Sequence, residues 1–165
     1  MRILVFAEGT IIMHKNAIGH ARDEIVKQSK GIFLVFREKS VHDYKSYVPI
    51  HDAAKKLQDW KNDGAEILYL TSRRRPEEIE QIQNVLEKHG FPGGQLLSRQ
   101  KNEEYKDVVE RMIPDVLVED DCESIGGTDK MAITHVKSEV RKKIKSIPVR
   151  EFGGIDHLPD EIAAL

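Results

Sequence analysis

Four short groups in the chain combine acids, hydroxyls and cations in a way that suits phosphate chemistry: Glu8-Gly9-Thr10, Thr71-Ser72-Arg73, Lys106 and Glu119-Asp120-Asp121. Carboxylates are the donors a hard cation such as magnesium prefers, while hydroxyl and ammonium groups neutralise phosphoryl oxygens. Each group alone also has an ordinary reading. An acid triplet after a strand often makes a solvated turn, Thr71 and Ser72 are good helix caps, and the run Arg73 to Arg75 suits a solvated face. Order and spacing are what raise the four groups above that background.

The elements around them explain how such distant positions could meet. Arg2 to Phe6 is an apolar run that reads as a buried strand passing straight into the turn at Glu8-Gly9-Thr10. Ala65 to Leu70 is a second strand ending at Thr71, and Pro76 with Glu77 and Glu78 opens the helix that follows. Gln95 to Ser98 is a short third strand, Asn102 to Met112 a helix carrying Lys106, and Asp115 to Val118 a fourth strand ending in the three acids. Strands alternating with amphipathic helices predict a parallel α/β sheet, in which ligands bind just past the carboxyl ends of the strands.

The intervening pattern is weaker. Asn16 to about Lys30 reads as a helix with Ala17, Ala21, Ile25 and Val26 on one face, Ile32 to Phe36 as a strand, and Val41 to Pro49 as a loop. Residues 11 to 49 therefore form a small insertion near the mouth of the site, where His14, His20 and His42 also lie. Ile50, Ala54, Leu57 and Trp60 are spaced for one buried helical stripe that stops at Gly64. After the acids, Met131 to Val136 fits either strand or loop, Ser138 to Lys145 a short basic helix, and Ile147 to Phe152 a last strand.

On these motifs the chain resembles the haloacid dehalogenase superfamily over nearly its whole length. The resemblance implies a single domain over residues 1–165, a three-layer Rossmann-like fold with a mainly parallel sheet, and a small cap insertion at about 11–49. It makes Thr71, Ser72, Arg73 and Lys106 the phosphate-binding residues, Thr71 being the leading hydroxyl. It places magnesium between the backbone carbonyl of Glu8 and an acidic pair drawn from Glu119, Asp120 and Asp121, either Glu119-Asp120 or Asp120-Asp121. The first motif of that family is D-x-D-G-T, whose first Asp is the nucleophile. Here the aligned residues are Phe6, Ala7, Glu8, Gly9 and Thr10. Phe6 can neither attack phosphorus nor bind a metal, so the nucleophile is missing, and Glu8 stands in the place of the general acid and base.

Composition limits the remaining choices. The 165 residues are enough to bury a real core, and with 39% apolar residues and a net charge of -2 neither disorder nor bulk attraction to nucleic acid is expected. Cys122 is the only cysteine, which excludes an internal disulfide and fits a cytoplasmic location. No apolar run reaches membrane-spanning length. Three readings follow. The first is a protein that binds a phosphorylated small molecule, with magnesium as an optional cofactor, and lacks phospho-aspartate catalysis. The second is an active magnesium-dependent phosphohydrolase using Glu8 or metal-held water. The third is a non-catalytic scaffold for a partner protein.

Overall fold

The computed structural model describes residues 1–31 and 43–165, and the side chains of all of these except 28–31. Five strands form one parallel sheet: β1 (Arg2–Phe6), β4 (Glu66–Leu70), β5 (Gln95–Leu97), β6 (Val116–Asp120) and β7 (Lys145–Val149), in the order β5-β4-β1-β6-β7. β1 is central, with β4 on one side and β6 on the other. The chain thus reverses its direction of sheet growth at β1, the switch point at which parallel α/β sheets open a ligand site.

Strand alternation divides the core into two layers. Ile3, Val5, Ile67, Tyr69, Val116 and Val118 face α2 (Ala53–Asn62) and α3 (Pro76–Lys88), packing on Leu57, Trp60, Ile82, Val85 and Leu86. Leu4, Leu68, Leu70 and Leu117 face the opposite way. They meet Val108 and Val109 of α4 (Tyr105–Met112), Ala132 and Ile133 of α5 (Ala132–His135), and Val136 and Ile144. The result is the expected α/β three-layer, Rossmann-like arrangement. The carboxyl-terminal segment closes one side: Trp60 Nε1 donates to the Pro159 carbonyl at 2.9 Å, and the buried Lys56 ammonium holds the Leu158 carbonyl at 2.8 Å and pairs with Asp160.

Several boundaries differ from expectation. The helix expected from Asn16 is α1, Arg22–Gly31, because Lys15–Ala17 is one 3-10 turn and Gly19 breaks the chain at φ 80°. The expected loop before Pro49 contains a strand, β3 (Tyr47–Pro49), paired antiparallel with β2 (Ile12–His14). α4 begins at Tyr105 rather than Asn102, since Asn102 is left-handed at φ 65° and belongs to the preceding turn. Residues 131–136 hold the short helix α5, the basic helix shrinks to α6 (Ser138–Arg141), and β7 ends at Val149 instead of Phe152. The strand expected over 32–36, and His42, lie outside the described residues. Among the described residues no helix is long and apolar enough to cross a membrane.

Candidate functional site

The loops after β1 and β4 meet at the carboxyl edge of the sheet because their strands are hydrogen-bonded neighbours, Phe6 standing opposite Leu70. Two residues further on, Glu8 and the Thr71-Ser72-Arg73 turn are joined by a compact network. Glu8 Oε1 accepts from the Thr71 hydroxyl at 2.7 Å and from Arg73 Nε at 3.0 Å, and Oε2 accepts from the Ser72 backbone N–H at 3.1 Å. The Thr71 hydroxyl oxygen also accepts the Arg73 backbone N–H at 3.1 Å. Arg73 extends the network to the turn before β3 by donating to the Tyr44 hydroxyl at 2.7 Å, with its guanidinium 4.7 Å from the Tyr44 ring centre. Burial works against the Arg73 charge, yet Glu8, Tyr44 and Tyr47 together hold the guanidinium above its ordinary pKa. Glu8, Thr71, Ser72 and Arg73 are therefore brought together, with the carboxylate seated on the donors.

Phe6 lies beside this network. Its half-buried ring meets Tyr105 edge-on, with centres 5.2 Å apart, and packs against the α4 layer. A face of Tyr105 is covered by Arg99, whose guanidinium carbon is 3.9 Å from the ring centre. Arg99 Nη2 donates to the Ser72 carbonyl at 3.1 Å, so the cation is fastened to the back of the turn that holds Glu8. Arg99 Nε is buried without a hydrogen-bond partner, and no carboxylate pairs with Arg99 among the described residues. Burial, together with repulsion from Arg74 and Arg73, lowers its pKa. Lys106, in contrast, points to Glu104 at 3.1 Å and is not drawn into the Glu8 network. Sequence reading missed Arg99. Its signal was a cation two positions past β5 with an aromatic residue six positions on.

The acids Glu119 and Asp120, which end β6, and Asp121, which follows it, fall into three environments. Glu119 is only 1% exposed, and its carboxylate accepts the Ala132 N–H at 2.7 Å and the Ile133 N–H at 3.1 Å, capping the start of α5. Burial raises its pKa to about 7 despite those two bonds. Asp120 accepts from the fully buried Thr10 hydroxyl at 2.9 Å and from the Cys122 N–H at 3.1 Å. Burial, with repulsion from Glu151, raises Asp120 to about 6. Gly9 makes this approach feasible: it sits at φ 84°, and a Cβ there would stand 3.2 Å from Asp120 Oδ1. Asp121 pairs with Arg22 at 2.7 Å and accepts the Glu151 N–H at 3.2 Å. Glu151, a buried acid that sequence reading passed over, holds the Ser124 N–H at 2.7 Å and its hydroxyl at 2.6 Å. Burial and the surrounding acids push the Cys122 thiol pKa up, which lowers its thiolate fraction.

Magnesium needs several oxygens converging on one point. Among the described residues no three His, Cys, Asp or Glu side chains do so. Phe6 supplies no ligand, Glu119 is turned to α5, Asp121 to Arg22, and the Glu8 carboxylate to Thr71 and Arg73. Among the described residues, the acids that the resemblance implies for the metal are each engaged by protein donors, Glu119 by α5, Asp120 by Thr10 and Cys122, and Asp121 by Arg22.

The fold and site together define an α/β protein with a parallel sheet and a polar network at its switch point. No family model matches the chain, and no curated protein matches it. Among solved structures it is similar to a HAD family hydrolase from Deinococcus radiodurans R1, crystallised with bound phosphate and sodium, at 9% identity and a TM-score of 0.48. That likeness covers 89% of this chain and 79% of the other.

Proposed function

We propose that this protein binds a phosphorylated small molecule at the carboxyl edge of its sheet and does not perform phospho-aspartate chemistry. The observation that supports this reading most strongly is Arg99. A guanidinium with a buried, unbonded Nε and no carboxylate partner is costly to keep unless an anion completes it. Arg99 is bonded to the Ser72 carbonyl, and a phosphate ester taking the place of the Glu8 carboxylate would meet hydroxyl, backbone N–H and guanidinium donors of that turn. Residues of the insertion at about 11–49 act as a small cap, with Arg22 and Tyr44 as its anchors on the two flanks of the edge.

The hydrolase reading has less support. Glu8 is engaged with three donors, and the side chain at the nucleophile position is an aromatic packed on Tyr105. The scaffold reading rests on exposed apolar residues, and Met1, Ile18, Ile113 and Ile125 belong to different segments, as isolated surface residues commonly do. Calorimetric titration with nucleotides and sugar phosphates tests the proposal. Binding of at least one phosphomonoester at millimolar concentration is expected, weakened about 10-fold or more in Arg99→Gln, in line with the ~1.5–3 kcal/mol of a charge-assisted hydrogen bond. Absence of binding by every phosphomonoester contradicts it.

A further inference from the structure

Glu8 uses the donors that a bound phosphate would need. Its two oxygens already take the Thr71 hydroxyl, the Ser72 N–H and Arg73 Nε, at 2.7, 3.1 and 3.0 Å. The side chain is only 11% exposed, so these bonds are made largely out of water, where they are strongest. We propose that Glu8 is a built-in anionic occupant of the phosphate position, and that a ligand enters by displacing it. This inference rests on the reading of the edge as a phosphate site, and gives that site a regulated, closed state.

The backbone allows such an exchange without unfolding the turn. Ile11 and Ile12 both donate to the Ala7 carbonyl at 3.0 Å, and Gly9 donates to the Ile12 carbonyl at 2.9 Å, so the main chain around Glu8 is pinned on both sides. Only side-chain torsions must change for the carboxylate to leave. Arg73 would then pass from Glu8 to the ligand while still holding Tyr44, which couples occupancy of the site to the insertion. An occupant lowers apparent affinity by the fraction of molecules in which the site is free, and removing it restores the intrinsic affinity.

The test is titration of inorganic phosphate into wild type and Glu8→Gln, at fixed ionic strength with chloride as the control anion. Glu8→Gln keeps the size of the side chain and one acceptor oxygen but removes the competing charge. The expected result is phosphate binding at least 10-fold tighter than in wild type, with chloride inert in both proteins. Equal or weaker binding by Glu8→Gln overturns the occupant while leaving the phosphate site standing, and absence of phosphate binding in both proteins overturns the site and the occupant together. If Glu8→Gln is unfolded in buffer, recovery of its helical circular dichroism on adding phosphate supports the inference, and failure to recover contradicts it.

Discussion

Phe6 and Glu119 show how a position can hold the place of a reactive group while doing structural work. Phe6 occupies the nucleophile position of the resembled motif, and its ring is committed to Tyr105. Full loss of a buried Phe costs ~3–5 kcal/mol, and for this half-buried ring Phe6→Ala is expected to cost about 2 kcal/mol in urea unfolding. A change below ~0.5 kcal/mol would mean that the packing is not what the residue supplies. Glu119 caps α5 as an acid whose folded pKa, about 7, exceeds its unfolded value. The folded state therefore binds more protons between the two values, so this contribution to stability is complete below the unfolded pKa and is lost as pH rises through about 7. The midpoint of thermal unfolding should fall from pH 5 to pH 8 in wild type, and fall less in Glu119→Gln; identical slopes would contradict the assignment. The sequence marked Glu119 as an acid after a strand. It carried no sign that two backbone N–H groups from residues 132 and 133 would claim the carboxylate, because that pairing depends on tertiary placement of α5.

At the scale of elements, the strands that carry the site were legible as apolar runs, and β1, β4 and β6 lie where those runs predicted. Hydrophobic periodicity reads burial directly, so it found the strands and the buried stripes of α2 and α3. It reads turns poorly. Gly19 and Asn102 each broke a helix that periodicity extended, through positive φ values of 80° and 65°. β3 escaped notice because three residues ending in proline carry little pattern of their own and are fixed by pairing with β2. One glycine makes a further prediction at this scale. A Cβ on Gly94 would stand 2.3 Å from the Ile67 carbonyl oxygen, at the start of β5 where it joins β4, whereas a Cβ on Gly93 meets only Lys61 Nζ at 3.6 Å. Gly94→Ala should therefore destabilise the protein by about 2 kcal/mol or more, the range of overpacked cores. Gly93→Ala should stay within ~0.5 kcal/mol. Equal effects of the two changes would show that the β4–β5 approach is looser than described.

Across the whole molecule, the central position of β1 brings together residues 63 to 110 positions apart. Thr10 meets Asp120 there, Glu8 meets Thr71, and Arg22 of α1 meets Asp121. The convergence of Glu8 with residues 71–73 followed from strand order and could be anticipated. The division of labour could not. Cations gather past β4 and β5, where Arg73, Arg74 and Arg99 surround one turn, while the acids past β6 and β7 are consumed by backbone N–H groups, Ser124 and Arg22. Which acids are left over for a metal depends on every neighbouring donor, and a linear sequence does not list those donors. The cations thus stand on one side of β1 and the engaged acids on the other.

The most direct test of that account is a phosphorus NMR spectrum of a phosphomonoester incubated with the protein and magnesium, since one spectrum reads binding and hydrolysis together. The account predicts an ester resonance that broadens or shifts with added protein, weakens in that response with Arg99→Gln, and gives rise to no inorganic phosphate beyond a protein-free control. An unperturbed ester resonance would contradict the binding site, and protein-dependent growth of inorganic phosphate would contradict the absence of catalysis.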